Sequence, residues 1–530
     1  MSPARALGER IEFHVTQMDR VQSSATTLDR RDWLAAGLLG TATVVLLITV
    51  SPLILRHGDA VQYAHLISEN DFSRMTIHVG YYLLGALSFR LLPVSIDTSL
   101  SLANCLFGAM TVALVCLCGR VVSGRLAVGI LAGAILLTNP LFVLESIYAE
   151  VYASHLFFVV LTLLAWLLGR PLLTGVAYAG AHLVSPSAVF VLPALVILRP
   201  DARALLRMGL VASAIILPVV AQHPGDYIGG LLFATGHPWV AGLAISKEAQ
   251  ELSQGFLAYV LFVVVGAAED VRRGRVRFAF ALFAMWAVTF VLGEKTYDVP
   301  VQLPVYACLA IMAGLGADAL IVRHESMRRE PIVRWIVLTL ILSFVIPASS
   351  GMGKRMTIAM VAMTLTAIGC VVFLRRAETG RRTGLVATAL IIAIGVNALG
   401  AANVVREENR RAFGLRRTVA YVDETAAPDY LVIAAYNEGM LFEHYVLGQL
   451  FTGRWLHPEW LLRDHGWGLR FQVQARQRWR ETLAARREVW FIGLHYPELT
   501  TRLQDELRAA GYTVEEIVPG LRRARFSKDE

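Results

Sequence analysis

Charge is what this sequence has little of. Only 17% of its 530 residues are Asp, Glu, Lys or Arg, against 56% hydrophobic ones, and the mean hydropathy is +0.55. So little charge excludes an ordinary soluble globular chain and fits a polytopic membrane protein. Cysteine is also scarce. All five (Cys105, Cys116, Cys118, Cys308 and Cys370) fall inside apolar runs, so they read as small packing residues and not as a disulfide framework. Cys116 and Cys118 are two apart, point to different faces of a helix and make a poor paired metal site. Internal repeats and low-complexity tracts are lacking. No small-residue cleavage site follows the first apolar run. The segment 1–32, with Arg5, Arg10, Arg20, Arg30 and Arg31, therefore reads as the cytoplasmic end of an uncleaved signal anchor.

What the sequence has in quantity is apolar runs of about 15 to 22 residues, and roughly 20 residues of helix cross a ~30 Å hydrocarbon core. They fall near 33–55, 99–119, 125–140, 150–168, 172–184, 187–198, 206–221, 255–269, 277–292, 302–321, 334–348, 357–374 and 384–402. That is about 13 transmembrane helices, since backbone in lipid must satisfy its own hydrogen bonds. The pair at 172–198 is short for two spans and long for one. Ser185-Pro186-Ser187 breaks it, which predicts two short or re-entrant helices in a protein-lined setting.

The net charge of +8 comes from arginines placed in every second loop. Arg120 and Arg125, Arg199 to Arg207, Arg272 to Arg277, Arg323 to Arg329 and Arg375 to Arg382 mark one side as cytoplasmic. This distribution serves membrane orientation and excludes a nucleic-acid footprint. The other loops are then extracytoplasmic: 56–98, 141–149, 222–254, 293–301 and 349–356, with the tail 403–530. Counting 77–93 as a span would move the arginine clusters outside. With Gly80, Gly85 and Arg90 that stretch reads as a short amphipathic helix at the membrane face, within the first external loop.

Beyond 403 the composition changes. "EENRRAFGLRRTV" predicts a charged helix leaving the membrane, and "DYLVIAAYNEG" a buried strand and turn. "EVWFIGLHYPELTTRLQDELRAAGYTVEEIV" predicts strand, helix and strand, with Gly511 ending the helix. The expected architecture is a transmembrane domain over 33–402 followed by a small extracytoplasmic α/β domain over 403–530.

Ionisable and aromatic residues concentrate in the external loops. The first holds His57, Asp59, Tyr63, His65, Arg74, His78 and Tyr81; "NPLFVLESIYAEVYASH" adds Glu145, Tyr148, Glu150, Tyr152 and His155. His182 sits by the break in 172–198, and Lys295 and Tyr297 lie in "VLGEKTYDVPVQLP". A charge costs roughly 2.5 to 3.5 kcal/mol at a bilayer centre and less near an interface, so acids at that depth are functional candidates. Asp59 is expected about four residues past the first span. A cap for the next helix, or a partner for Arg56, is its plain alternative role. Interfacial solvation is the alternative for Glu145 and Glu150, and a structural role for His65 and His78. A carboxylate here can deprotonate an acceptor hydroxyl, while Lys and Arg can hold a departing phosphate. At the boundary, a polyprenyl tail stays in lipid while its phosphosugar head meets water.

"HGDAVQYAHLI", the amphipathic "IHVGYYLLGALSFRLLP" and the span "LSLANCLFGAMTVALVCLCGRVVSGRLAV" resemble the opening of the GT-C glycosyltransferases. In that superfamily an acid follows the first transmembrane helix, then come interface helices and a span ending in a basic turn. "LESIYAEVYASHLFFVVLTLLAWLL", "GAHLVSPSAVFVLPAL" and "YDVPVQLPVYACLAIMAGLGADAL" are similar to a prokaryotic branch related to protein O-mannosyltransferases. The resemblance covers roughly 33 to 322 and is strongest at Asp59 and Glu150. It implies Asp59 as catalytic carboxylate and Glu150 as a second acid in the same cavity, with Arg74 and Lys295 on the donor phosphate. His57, Tyr63, His78, Glu145, Tyr152, His155, His182 and Tyr297 are the candidate substrate contacts. "SRMTIHVGYY" departs from the branch, which has glycine and proline ahead of the interface helix. The implied donor is a polyprenyl-phosphate sugar, mannose being the sugar the branch suggests, and the acceptor a protein, glycolipid or polysaccharide. The implied location is the bacterial inner membrane.

The competing class is a transporter or flippase of a lipid-linked or anionic substrate, which would carry acids deep in the bundle and matching halves. A non-catalytic scaffold with a partner-binding external domain is the third. A divalent metal between Asp59 and Glu150 stays open, since hard cations favour carboxylates, although the spacing carries no ligand signature.

Overall fold

A computed structural model describes residues 27–56, 58–70, 78–222, 224–225, 227–228, 255–272, 277–289, 302–322, 379–426, 430–434, 455–456, 486–492, 501, 504–505, 507–518 and 521–526. The predicted spans 334–348 and 357–374 lie outside the described residues.

The first helix, α1 (Arg30–Val50), starts on a capping box. Asp29 accepts from the backbone of Arg31 and Asp32, and the Asp32 carboxylate reaches back to the Asp29 N–H. It ends five residues before the predicted limit of the span, because Ser51 precedes Pro52 and a residue before proline avoids the helical region. Asp59 thus stands nine residues beyond the helix end at Val50, not about four. Two short helices follow, α2 (Gly58–Ser68) and α3 (Val79–Leu91), then the long α4 (Ile96–Ser123). The amphipathic helix expected at 77–93 is α3. It buries Tyr81, Tyr82, Gly85 and Ala86 and exposes Leu83, Leu87 and Leu91.

A run α5 (Leu126–Leu137) then bends by 72° into α6 (Pro140–Ile147). The bend has a local cause. Asn139 caps α6 through the Phe142 N–H, and Pro140 occupies the first helical position, where no N–H is required. Residues 141–149, expected as a loop, are therefore largely helical. After α7 (Val151–Leu167) comes α8 (Pro171–Val184), which breaks at Ser185-Pro186 into a 3-10 turn (Pro186–Val191) and α9 (Leu192–Leu198). Two short helices with a proline break are what the sequence predicted there.

The remaining helices are α10 (Ala202–Val220), α11 (Val260–Arg272), α12 (Arg277–Val288), α13 (Leu303–Val322) and α14 (Thr379–Thr425). Among the described residues, α1, α4, α10, α13 and α14 are long and apolar enough to cross a membrane, and the bent α5–α6 pair qualifies as one further span. The expected boundary at 402/403 falls inside α14, which continues as one helix of 47 residues. Helices α11 and α13 pack so closely that a Cβ on Gly266 would strike the Met312 carbonyl, and one on Gly316 the Phe262 carbonyl. Small residues at such crossings let backbones meet, as membrane helix pairs commonly require.

Polar links sort the helix ends onto two faces. Arg120 reaches Asp32 at 3.0 Å and Arg125 reaches Asp318 at 2.7 Å, joining the start of α1 and α5 to the end of α4 and α13. On the opposite face the Ser51 hydroxyl donates to the Ile147 carbonyl at 2.8 Å. Arg120 and Arg125 thus lie at the same end of the bundle.

The C-terminal strands are β1 (Leu431–Ala434), β2 (Trp455–Leu456), β3 (Glu488–Ile492), β4 (Tyr512–Val518) and β5 (Leu521–Phe526). They form one mixed sheet in the order β2-β1-β3-β5-β4, parallel from β2 to β3 and antiparallel onward. Strand β1 is buried along its whole length because both faces are covered. Val432 and Ala434 join Val419 and Val422 of α14, while Leu431 and Ile433 join Leu507 and Tyr512. Gly511 takes φ +93° just before β4, the left-handed turn its place in the sequence called for. β2 and β5 were not foreseen.

Candidate active site

The site begins where α1 stops. Beyond Pro52 the chain turns through Leu53 at φ +53°, a left-handed conformation unusual for a branched side chain, and runs non-helically to Arg56. Helix α2 opens at Gly58 and carries Asp59 in its first turn, where the helix dipole favours a carboxylate. The Asp59 side chain is open to solvent, yet the protein around it is dense enough that desolvation raises its pKa above the ordinary carboxylate value.

Arg56 pairs with Glu145, at 3.4 Å, and its guanidinium lies 4.9 Å over the Tyr148 ring. The expected local alternative, a cation partner for Asp59 in Arg56, is therefore met by Glu145 instead. Glu145 is buried in α6, and its position on Arg56 makes it a support for the segment ahead of Asp59.

Glu150 sits in the extended break between α6 and α7, at φ −143°, and is 6% exposed. The break is held from α4. The Asn104 side-chain amide donates to both the Tyr148 and the Glu150 carbonyls, at 2.5 and 2.6 Å. A buried backbone with no helix to satisfy it needs such a donor.

Tyr63, one turn beyond Asp59 on α2, brings the two acids together. Its phenol is pushed well up, first by burial, then by the negative charges of Asp59 and Glu150, with Tyr82 and Tyr152 adding to the effect. The Tyr63 ring meets Tyr81 at 5.0 Å, Tyr82 at 5.2 Å and His78 at 6.2 Å, all edge-on. Glu150 also raises the Tyr81 phenol, after burial, and the buried Tyr81 hydroxyl has no hydrogen-bond partner among the described residues. Asp59, Glu150, Tyr82 and Tyr152 thus all bear on the Tyr63 phenol, which packs edge-on against Tyr81, Tyr82 and His78.

The histidines lie to one side of it. His78 contacts the Val184 carbonyl through Nδ1 at 2.7 Å. His155 is buried in α7, with Nδ1 3.2 Å from the Ala181 carbonyl and Nε2 3.3 Å from the Ser187 hydroxyl. His182 bonds the Tyr227 hydroxyl and stacks on Tyr178 with centroids 6.1 Å apart. All three meet the end of α8 and fasten it to α3, α7 and the start of the 222–254 loop. Gly80 permits the first of these contacts, for a Cβ there would lie 2.8 Å from the Leu183 and Val184 backbone.

His57, Arg74, Lys295 and Tyr297 lie outside the described residues. Among the described residues no group of three or more His, Cys, Asp or Glu converges so as to hold a metal ion. A cation between Asp59 and Glu150 would have to complete its shell from other ligands. Asn104 and Asn409, which bond the Tyr148–Glu150 stretch, were not foreseen in this neighbourhood. An amide inside the apolar run "LSLANCLFGAM" is a signal in itself, whereas Asn409, within "EENRR", offers none.

No protein-family model matches the chain, and no curated protein matches it. Solved structures do. ArnT from Cupriavidus metallidurans bound to undecaprenyl phosphate superposes with a TM-score of 0.53 at 13% identity, covering 94% of this chain and 99% of that one. The same protein in its apo state gives 0.53 at 14% identity, over 93% and 98%. The archaeal oligosaccharyltransferase AglB from Archaeoglobus fulgidus, in complex with an inhibitory peptide and a dolichol-phosphate, gives 0.48 at 11% identity, over 93% and 74%. At these identities the likeness is one of fold. With ArnT it extends over nearly the whole of both chains.

Proposed function

We propose that this chain, which has the GT-C fold, is a membrane glycosyltransferase that moves a sugar from a polyprenyl-phosphate-linked donor to an extracytoplasmic acceptor, with Asp59 as the catalytic carboxylate. The observation that supports this is that Asp59 and Glu150, from segments 91 residues apart, both lie near enough to the buried Tyr63 phenol for their charges to raise it, beside α3, which exposes Leu83, Leu87 and Leu91. The ArnT structure named above holds undecaprenyl phosphate, which supports a lipid-phosphate donor for a chain of the same fold.

In the proposed reaction the acceptor hydroxyl loses its proton to Asp59 as its oxygen attacks the anomeric carbon. The bond from that carbon to the phosphate oxygen breaks, and the polyprenyl phosphate leaves with the electron pair. A carboxylate whose pKa is raised by burial is a better base for this than an ordinary aspartate. Glu150, buried at a chain break, would orient the acceptor or the sugar hydroxyls. Arg74 and Lys295 are the proposed contacts of the leaving phosphate. The protein O-mannosyltransferase resemblance makes mannose the sugar to try first, and a protein, glycolipid or polysaccharide the acceptor.

The arginine alternation supports a cytoplasmic N-terminus and an extracytoplasmic C-terminal domain over 403–530, in a bacterial inner membrane. The test compares purified wild type with Asp59→Asn at equal folding, following consumption of labelled polyprenyl-phosphate sugars. Loss of activity by about 100-fold or more is expected. Equal turnover would remove Asp59 from the mechanism, and lipid movement without sugar transfer in wild type would favour a flippase.

A further inference from the structure

Asn409 lies on α14, 261 residues beyond Tyr148, yet it joins the hydrogen-bond chain of the site. Its Oδ1 accepts from the Tyr148 hydroxyl at 2.7 Å, and its Nδ2 donates to the Val50 carbonyl at 3.1 Å. The two bonds use both ends of the amide, so its orientation is determined. Val50 is the last residue of α1, and its carbonyl is among those a helix end leaves without an intrahelical donor. Tyr148 carries the Arg56 guanidinium on its ring, and Arg56 is three residues ahead of Asp59.

We propose that Asn409 is a positioning residue for the reaction: through Tyr148 and Val50 it holds the non-helical segment 51–56, and with it Arg56, in register with Asp59. The inference rests on the transferase reading for its meaning in catalysis. Its structural content stands on the two bonds. The segment needs such a tether. It follows a left-handed Leu53 and makes no helix of its own, and among its further ties are the Ser51 bond to Ile147 and the Arg56 pair with Glu145. The Asn409 and Ser51 bonds both reach the stretch Ile147–Tyr148, so α14 and α6 hold one short piece of chain from two sides.

The helix that supplies Asn409 also carries the sheet. Val419 and Val422 belong to the sheet's core, and Leu415 packs both there and against the cluster that contains Tyr63. Asn409 is ten residues, or about 15 Å, below Val419 on one unbroken helix. Asn409 is where that helix grips the catalytic segment.

The test is a double-mutant cycle of Asn409→Leu and Tyr148→Phe in the full-length protein, with two readouts. The first is transfer from a labelled polyprenyl-phosphate sugar. Each single variant should lower kcat about tenfold with donor KM changed less than about twofold, and the double should be no worse than the poorer single. The second is backbone hydrogen exchange over 51–56 and 147–150, which needs no turnover. It should rise in each single variant and rise no further in the double, with exchange in α4 and β3 unchanged. Unaltered exchange in those two segments, or additive losses, overturns the inference. If wild type transfers no sugar at all, the transferase reading falls, and the exchange result still decides whether Asn409 holds the segment.

Discussion

Asp59 and Glu150 act on the same phenol. Tyr63 sits one turn from Asp59 on α2 and within the field of Glu150 from the α6–α7 break, and both charges raise its pKa. Two negative charges bearing on one buried phenol fix the electrostatics of this site.

Burial raises the Asp59 pKa, so the base form is lost as pH falls through a value above the ordinary ~3.9. The acid limb of kcat/KM should therefore lie above that of an aspartate free in water, and Asp59→Asn should abolish activity at every pH. The sign for stability is the opposite of the usual paired carboxylate. A raised folded-state pKa means that ionisation disfavours the fold, so this cost appears as pH rises from ~3.9 through the folded value. Asp59→Asn should melt higher than wild type at pH 7, and the gap should close below pH ~3.9. A lower melting point at pH 7 would contradict the assigned burial.

Removing the amide at Asn104 leaves the Tyr148 and Glu150 carbonyls without their donor. Asn104→Ala should cost about 2 kcal/mol, measured by thermal or denaturant melting in detergent. Sugar transfer should fall as well, because the Glu150 backbone is no longer held.

Glu145 is the buried partner of Arg56, at 3.4 Å. Glu145→Ala removes the carboxylate from a guanidinium that is only 13% exposed, and about 3 kcal/mol of destabilisation is expected. Pairing the change with Arg56→Met should recover part of that loss in the same melting assay.

At Gly80 the α3 backbone rests on the end of α8. Gly80→Ala places a methyl 2.8 Å from the Leu183 and Val184 backbone, which neither helix can yield cheaply. The expected cost is about 1–3 kcal/mol in the same melts. His78 should lose its contact with the Val184 carbonyl, detectable as a change in its NMR titration.

Much of this molecule was legible from residue order. Apolar runs marked the helices, Ser185-Pro186 marked the break after α8, and "DYLVIAAY" marked a strand buried on both faces. Asp59 and Glu150 stood out because charge is rare in such a chain and each lay beside an apolar run. Local errors had local causes. Pro52 ended α1 early, Asn139-Pro140 turned a predicted loop into a bent helix, and α14 ran past the composition change because helical bonding does not depend on whether side chains face lipid or water.

What residue order determines here is periodicity, hydrophobic length and the side on which arginines collect, since each depends on neighbours in the chain and on the solvent around it. Tertiary structure alone decides partnership. Arg56 sits beside Asp59 in sequence and pairs with Glu145; Asn104 and Asn409 meet the α6–α7 break from helices far along the chain. Those pairings depend on which helices pack together, and close packing is a property of surfaces that no single segment carries.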